Sequence, residues 1–255
     1  MHIKCWEPAD IVIEYIASLP FQLYEKNMET IFPDHPAMGW TERLKSYRWP
    51  TLNEGWETNH SQYTAFRFQL QDLHIGSIQE PHNARKLQDI FFQICFWNHI
   101  PLPENNSAIL AREVQEVICR LQENEIPVGY RINVAWSKLY ALLLPENFVF
   151  YDSRISTALL SILDPYMNVI SRTEIWEKYN FLGSIPGRGG TRPRKYSWKW
   201  KNGYGNWKTQ ISANRLLLDI QSRLNSEEGK NNPLSGNQRN WTLHEIESVL
   251  FMQGY

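Results

Sequence analysis

The chain of 255 residues is poor in the residue types that build disulfide frameworks and metal centres. Its three cysteines, Cys5, Cys95 and Cys119, lie far apart in the sequence. None belongs to a CxxC motif, and none stands beside a histidine at metal-ligand spacing. We therefore expect no disulfide framework, no zinc or iron–sulfur site and no other cofactor, and a reducing cytoplasm as the location.

The sequence also lacks long apolar runs and a strong net charge. No apolar stretch approaches the roughly 18 residues that a membrane-spanning helix needs. The N-terminal stretch MHIKCWEPADIVIEYIASL has acids and a proline where a signal peptide needs a basic flank and an apolar core. Because 26 Lys and Arg face 27 Asp and Glu, the total charge neither favours nor excludes a polyanionic partner. We expect neither secretion nor membrane insertion.

Apolar residues recur at helical spacing over most of the chain, which predicts a mainly α fold. The predicted helices cover residues 83–98, 107–124, 133–144, 153–163, 173–181, 209–227 and the C-terminal stretch TLHEIESVLFMQGY. Residues 10–24 have a helix-like pattern that Pro20 interrupts. Residues 29–61 are predicted to be irregular, and residues 62–75 fit a strand or a helix equally well. Ser107 is the expected cap of its helix.

One aspartate follows a distinctive order of elements. A helix leads through the hairpin EIPVGYRI into the helix NVAWSKLYALLL, which Pro145 ends, and the aromatic run NFVFY then delivers Asp152 to the start of SRISTALL. Asp152 has a plain interpretation as a helix cap, whose carboxylate accepts backbone N–H bonds. Capping does not exclude catalysis, because an ionised carboxylate of fixed orientation suits stabilisation of a developing cation or activation of water.

This order of elements resembles the helix-hairpin-helix DNA glycosylase superfamily. The stretch SKLYALLLPENFVFYDSRISTAL is similar to bacterial proteins with an 8-oxoguanine-glycosylase fold, and the resemblance covers residues 108–164. It implies two helical lobes with a small basic loop or ribbon insertion, Gly129 in the hairpin and Asp152 as the catalytic acid. It also implies one domain over residues 1–255, divided into an N-terminal lobe (1–106), the hairpin and catalytic region (107–182), a basic aromatic loop (183–208) and C-terminal helices (209–255).

The sequence departs from the family pattern at the hairpin. Gly129 is the only glycine there, which weakens the expected approach of the backbone to a phosphate. Asn133 occupies the position where bifunctional members carry a Schiff-base lysine, so the resemblance implies a monofunctional enzyme that uses water. Lys138, about one and a half turns further along the helix, is an uncertain catalytic substitute. We favour a solvated or phosphate-facing role for it.

A second signal lies between Lys178 and Leu218, where no Asp or Glu occurs. The nine basic residues of this window are Lys178, Arg188, Arg192, Arg194, Lys195, Lys199, Lys201, Lys208 and Arg215. Aromatic residues interleaved with cations are typical of nucleic-acid binding, because rings stack on bases and cations hold phosphates. The alternation in KYSWKWK predicts an extended strand with Lys195, Ser197, Lys199 and Lys201 on one side and Tyr196, Trp198 and Trp200 on the other. The alternative is a solvated loop whose aromatics lie against the body.

The predicted DNA contacts come from the hairpin region and from the basic window. They are Gly129, Tyr130, Arg131, Asn133, Ser137, Arg154, Arg188, Arg192, Arg194, Lys195, Trp198, Lys199, Trp200, Lys201, Tyr204 and Trp207. Arg154 reaches either a phosphate or a salt-bridge partner in this scheme. The catalytic candidates are Asp152 and, with less support, Lys138, and no metal is expected.

The resemblance implies a monomeric DNA glycosylase that acts on double-stranded DNA carrying a modified base. The target nucleotide must leave the duplex and enter a pocket before its glycosidic bond is accessible. Because related bacterial proteins include anti-phage factors, a phage base such as glucosylated hydroxymethylcytosine is one expected substrate. A non-catalytic DNA-binding module of the same fold is the main alternative. A nuclease is a weaker alternative, since it would need clustered carboxylates around a metal.

Overall fold

A computed structural model of the chain describes residues 7–25, 30–49, 54–102, 106–187, 194–234 and 239–255, and these residues are mainly helical. The helices are α1 (Pro8–Ser18), α2 (Gly39–Lys45), α3 (Trp56–Gln71), α4 (Pro81–Trp97), α5 (Ser107–Gln122), α6 (Val134–Leu143), α7 (Ser153–Leu163), α8 (Met167–Ile170), α9 (Trp207–Leu224), α10 (Glu227–Lys230) and α11 (Leu243–Gln253). The strands are β1 (Phe21–Glu25), β2 (Thr30–Ala37), β3 (Gly183–Ser184) and β4 (Lys201–Asn202). The predicted mainly α class is confirmed.

The helices predicted around the hairpin and at the C-terminus are confirmed, with small differences at their ends. Asn106, and not Ser107, caps α5, because its side chain accepts the backbone N–H of Ala108. The short helix predicted over residues 173–181 is a 3-10 helix, Glu174–Tyr179. The helix α11 begins with a capping box, in which Thr242 and Glu245 exchange side-chain and backbone hydrogen bonds.

The N-terminal third differs most from the prediction. The pattern over residues 10–24 divides at Pro20 into α1 and β1, which pairs with β2 in an antiparallel hairpin. The supposedly irregular residues 29–61 contain β2, α2 and the start of α3. Residues 62–75 are mostly helical, because Tyr63, Phe66 and Leu70 recur at helical spacing and are buried on one face of α3.

Two helices, α7 and α11, form the centre of the molecule and pack against each other. Every residue of α11 is buried, and every residue of α7 except Ser161 is buried. α1 and β3 also pack on α7, while α2 and α9 pack on α11. Polar side chains on these two helices therefore lie in the interior, where an unpaired charge is costly and needs a reason.

The hairpin places α6 beside this centre. Its other neighbours are α3 and α4, and eight of its residues are buried, from Ala135 to Leu142. Among the residues that the structure describes, no helix has the length and apolar character needed to span a lipid bilayer.

Candidate active site

A cavity of about 70 Å³ lies where α6, α7 and α11 meet. Such a volume holds about five water molecules at roughly 15 Å³ each. The wall residues that matter for chemistry and shape are Tyr47, Trp49, Lys138, Phe150, Asp152, Arg154, His244, Glu247 and Phe251. The cavity thus combines one amine, two carboxylates and one imidazole with several aromatic rings.

Asp152 caps α7 and faces this cavity at the same time. Its Oδ1 atom accepts the backbone N–H groups of Arg154 and Ile155, both at 2.9 Å. Its Oδ2 atom accepts no hydrogen bond from the described residues. Burial raises the pKa of Asp152, against the opposing effects of the two backbone hydrogen bonds and the positive charges of Arg154 and Lys138. The capping interpretation is confirmed, and it leaves one oxygen available to a ligand.

Lys138 is buried, with 6% of its surface exposed. The interpretation of Lys138 as a solvated or phosphate-facing lysine is therefore wrong. Its Nζ atom lies 4.5 Å from the centre of the Phe150 ring, and within the described ranges no carboxylate oxygen lies within 4.0 Å of it. Burial lowers the pKa of Lys138, while the negative charges of Glu247 and Asp152 oppose this change. The site therefore holds an amine that is more readily neutral than an exposed lysine.

Glu247 and His244 on α11 complete the polar lining, and neither was among the predicted site residues. Glu247 accepts the backbone N–H of Phe150 on Oε1 at 2.7 Å, and burial raises its pKa to about 8. His244 stacks on Tyr63 with ring centres 3.7 Å apart. Burial and the charge of Lys138 hold the pKa of His244 well below its usual value. The His244 ring is therefore neutral near pH 7, and its 3.8 Å approach to Glu247 is not a salt bridge.

The sequence does contain a signal for these two residues. In α11 they stand three positions apart, and Glu247 is three and four positions before Leu250 and Phe251. A helical face runs through residues at this spacing, so the imidazole and the carboxylate share a face with apolar residues. Polar groups at buried helical positions indicate a site, and this signal was available before the structure.

Arg154 belongs to the aromatic wall of the cavity. Its guanidinium carbon lies 4.1 Å from the centre of the Trp49 ring, 4.5 Å from Phe251 and 4.6 Å from Tyr255. Because these rings surround it, the side chain is buried and does not project from the surface. Its charge acts on Asp152 inside the cavity.

The predicted DNA contacts of the hairpin lie outside the cavity. Gly129 is exposed and has φ +96°, a conformation that glycine adopts without strain. Tyr130 donates its hydroxyl hydrogen bond to Glu116 of α5, and Arg131 pairs with Glu113 of α5 through Nε at 3.1 Å. Asn133 caps α6 by accepting the N–H of Trp136. These bonds fix the hairpin onto the helix before it.

Besides Arg154, two of the predicted DNA contacts are buried, which corrects the prediction for all three. Ser137 is within α6, and its hydroxyl donates to the carbonyl of Val134. Trp207 begins α9 and packs against Tyr140 and Phe148 in the core. Neither side chain is accessible to a duplex, because each is packed in the interior between helices.

The basic aromatic segment is partly described. Arg188 and Arg192 lie outside the described residues. Exposed residues of the predicted set are Lys195, Trp198, Lys199, Lys201 and Tyr204, while Arg194 and Trp200 are half-buried. Lys201 also donates to the carbonyl of Asn180 at 3.2 Å and lies over the Phe181 ring.

The prediction of an extended strand for KYSWKWK is wrong except at its last residue, Lys201. Only Lys201–Asn202 forms a strand, which pairs in parallel with β3. The carboxylate of Asp164 accepts the backbone N–H groups of Ser197 and Trp198, at 2.7 and 3.0 Å, and the indole N–H of Trp200 at 2.8 Å. Because one carboxylate gathers these donors, the chain bends here, and Trp198 stays exposed while Trp200 packs inward.

Both ends of this segment lie against the elements that hold Asp152. A Cβ atom added to Gly187 would lie 2.5 Å from the Ser153 hydroxyl at the start of α7. At the other end, Tyr204 and Gly205 share a small pocket with Asn133 and Val134 of the hairpin. Val134 also lines the larger cavity. The exposed lysines of this segment (Lys195, Lys199 and Lys201) form a cationic surface, and the segment and the cavity both border on the start of α6 at Val134.

Comparison with known proteins gives no match to a family model, to a curated protein or to a solved structure. Within the described residues, no group of three His, Cys, Asp or Glu side chains is placed to hold a metal ion. The chemistry of the cavity and its position beside the cationic surface are therefore the basis for a functional assignment.

Proposed function

We propose that the chain is a DNA glycosylase that excises a modified base from double-stranded DNA, built on a helix-hairpin-helix glycosylase fold. One observation carries the proposal: Asp152 is held through Oδ1 by the first turn of α7, and the same residue lines a cavity that also holds a buried amine. The order of hairpin, helix and aspartate that suggests this family is the order that brings these groups together.

The acid has the properties that cleavage of an N-glycosidic bond requires. As the base departs, positive charge develops on the sugar, and a fixed carboxylate nearby stabilises that transition state. The two N–H bonds prevent the carboxylate from turning away, so its orientation needs no further ordering during the reaction. Asp152 therefore stabilises the charged sugar and orients the attacking group.

The nucleophile has two candidates. Asn133 at the lysine position of bifunctional relatives favours water and a monofunctional enzyme. The buried Lys138 favours an amine as the second candidate, because a lowered pKa leaves more of it in the neutral, nucleophilic form. In that case the Lys138 nitrogen forms a bond to C1' of the sugar as the glycosidic bond breaks. The electron pair of the broken bond leaves with the base, which takes up a proton.

The walls and the size of the cavity suit an extruded base. Trp49, Phe251 and Tyr47 line it with aromatic rings, on which flipped bases stack. A base takes the place of several water molecules, and the cavity has room for about five. Phosphate contacts at the cationic surface would offset the cost of extruding the nucleotide.

The proposal is tested by base release from duplex DNA. Purified protein is incubated with duplexes carrying candidate modified bases and with genomic DNA from phages that contain glucosylated hydroxymethylcytosine. Released base is measured by mass spectrometry, and abasic sites are revealed as strand breaks after alkali. The expected result is release by the wild type and none by Asp152→Asn, with equal DNA binding. Equal release by both proteins contradicts the role of Asp152.

The same reactions separate the remaining alternatives. Borohydride added during the reaction traps a covalent DNA adduct if Lys138 is the nucleophile, and the adduct is absent from Lys138→Met. Base release without an adduct supports water. A protein that binds duplex DNA and releases no base from any of these substrates is the non-catalytic DNA-binding module. Lys230→Ala is the control, since that lysine pairs with Glu227 on the exposed helix α10.

A further inference from the structure

Phe150 brings a buried amine and a buried acid to the same place. The Lys138 ammonium lies 4.5 Å above its ring, and its backbone N–H donates to Glu247 at 2.7 Å. Both Lys138 and Glu247 are buried and line the cavity that Asp152 faces. A base, Lys138, and an acid, Glu247, are therefore both in contact with Phe150.

These two groups do not form a direct ion pair, since the described residues contain no Lys138 nitrogen to carboxylate contact within 4.0 Å. A buried ammonium and a buried carboxylate that are not in contact each keep most of the cost of leaving water. That cost disappears if one proton moves from the amine to the acid, because both groups are then neutral. Both groups line one cavity, which has room for the water molecules through which a proton can pass.

We propose that Glu247 is a positioning residue that shares one proton with Lys138 inside the cavity, so that a fraction of the amine is neutral beside Asp152. One N–H bond of the ammonium breaks, one O–H bond forms on the Glu247 carboxylate, and the total charge of the pair stays zero. The use of this amine on a sugar rests on the proposed function, whereas the proton transfer does not.

Most of the ionisable groups around Glu247 favour this sharing of the proton. The groups are Lys138 from α6, Asp152 and Arg154 at the start of α7, His244 on α11, Tyr63 from α3 and Tyr47. The Arg154 cation lies among the rings of Trp49, Phe251 and Tyr255 and lowers the pKa of Asp152. The pKa of His244 is held well below its usual value by burial, so the ring does not compete for the proton. Burial raises the pKa of both tyrosines, so they remain neutral. Asp152 alone adds a nearby negative charge, and it raises the pKa of Glu247.

The test measures the reactivity of Lys138 against pH without DNA. Formaldehyde and cyanoborohydride methylate neutral amines, and the rate at Lys138 is read by peptide mass spectrometry. A pair that shares one proton titrates in two steps. We therefore expect the wild-type rate to rise, level off and rise again with pH. Glu247→Gln leaves an isolated buried amine, so we expect its rate to rise in one step. The midpoint of this step should lie at least about one pH unit below the upper wild-type step. One pH unit corresponds to a roughly tenfold change in the ratio of neutral to charged amine.

Controls make the outcome specific to this acid. Glu146→Gln changes an exposed acid that follows α6 and should leave both steps in place. If Glu247→Gln does not fold, ¹³C-labelled methyl groups on wild-type Lys138 give the same titration by NMR, with two steps expected. A single step in the wild type, or equal profiles in wild type and Glu247→Gln, overturns the proposal. Because no DNA is present, a two-step profile supports the proton transfer even where the base-release assay is negative.

Discussion

Trp207 donates its indole N–H to the backbone carbonyl of Tyr130 at 2.9 Å. This bond joins the last aromatic residue of the basic segment to the hairpin, 77 positions earlier in the chain. Trp207 is only 5% exposed and packs on Tyr140 and Phe148. It therefore anchors the basic segment to the hairpin from inside the core, while neighbours such as Tyr204 and Lys208 are exposed.

The buried and exposed aromatics of this segment should behave differently when truncated. Trp207→Ala should lower the free energy of unfolding by about 3–5 kcal/mol, as for other large buried aromatics. Tyr204→Ala, at an exposed position, should change it by less than about 0.5 kcal/mol and weaken DNA binding by about 1–3 kcal/mol through lost stacking. Urea unfolding and DNA titration measure the two quantities. A stability loss of equal size in both variants contradicts the assignment.

Asp152 should be more important for chemistry than for stability. Asparagine caps helices as well as aspartate does, and it carries no charge that burial penalises. Asp152→Asn should therefore be at least as stable as the wild type at pH 7, while Asp152→Ala should be about 1 kcal/mol less stable than Asp152→Asn. Thermal and urea unfolding of the three proteins check this order. A marked loss of stability in Asp152→Asn would mean that the buried negative charge is itself stabilising.

Much of the helical framework near the site was predictable, because its signals are local. The hairpin, the helix from Val134 and the cap at Asp152 each depend on residues within a few positions of one another. The same holds for α11, whose capping residues Thr242 and Glu245 are three positions apart. The sequence thus predicted where Asp152 lies on its helix and which helix precedes it along the chain.

The rest depended on contacts between distant segments. Nothing local distinguishes a buried Lys138 from a solvated one, because its burial follows from the packing of α3 and α4 on α6 and from the cavity that it lines with residues of α7 and α11. The bend in the basic segment follows from Asp164, which stands more than thirty positions earlier and supplies acceptors to Ser197 and Trp198. Alternation in a sequence predicts a strand only where a neighbouring strand is present to pair with it.

Glu247 should determine how stability depends on pH. In the folded chain its pKa is about 8, against an ordinary value of 4.5, so this acid alone would make the free energy of unfolding fall as pH rises between these values. The lowered pKa of Lys138 has the opposite effect, and the pair binds about one proton in both the folded and the unfolded chain. The wild type should therefore change little from this pair between pH 4.5 and 8. Glu247→Gln keeps only the contribution of Lys138, so its free energy of unfolding should rise with pH relative to that of the wild type. Urea unfolding across this range measures the difference, and Glu146→Gln should follow the wild type.

Exposed lysines of the basic segment should determine the salt dependence of DNA binding. Lys195→Ala and Lys199→Ala should each reduce the slope of log K against log salt by about 0.9 if each lysine neutralises one phosphate. Lys230→Ala is a matched control, because α10 packs on the C-terminal end of α9, about 27 Å along that helix from Trp207. An unchanged slope in both segment variants would place the duplex elsewhere.

One helix, α7, fixes the distance between Asp152 in the cavity and Asp164, which binds the backbone of the basic segment. Asp152 stands at its first turn and Asp164 follows its last residue, so the two carboxylates are joined by a rod of eleven residues, about 16 Å long. Because α7 is enclosed by α1 and α11, it has little freedom to tilt or slide. In the proposed complex, α7 would set a fixed distance between a DNA backbone held near Trp198 and the sugar that meets Asp152.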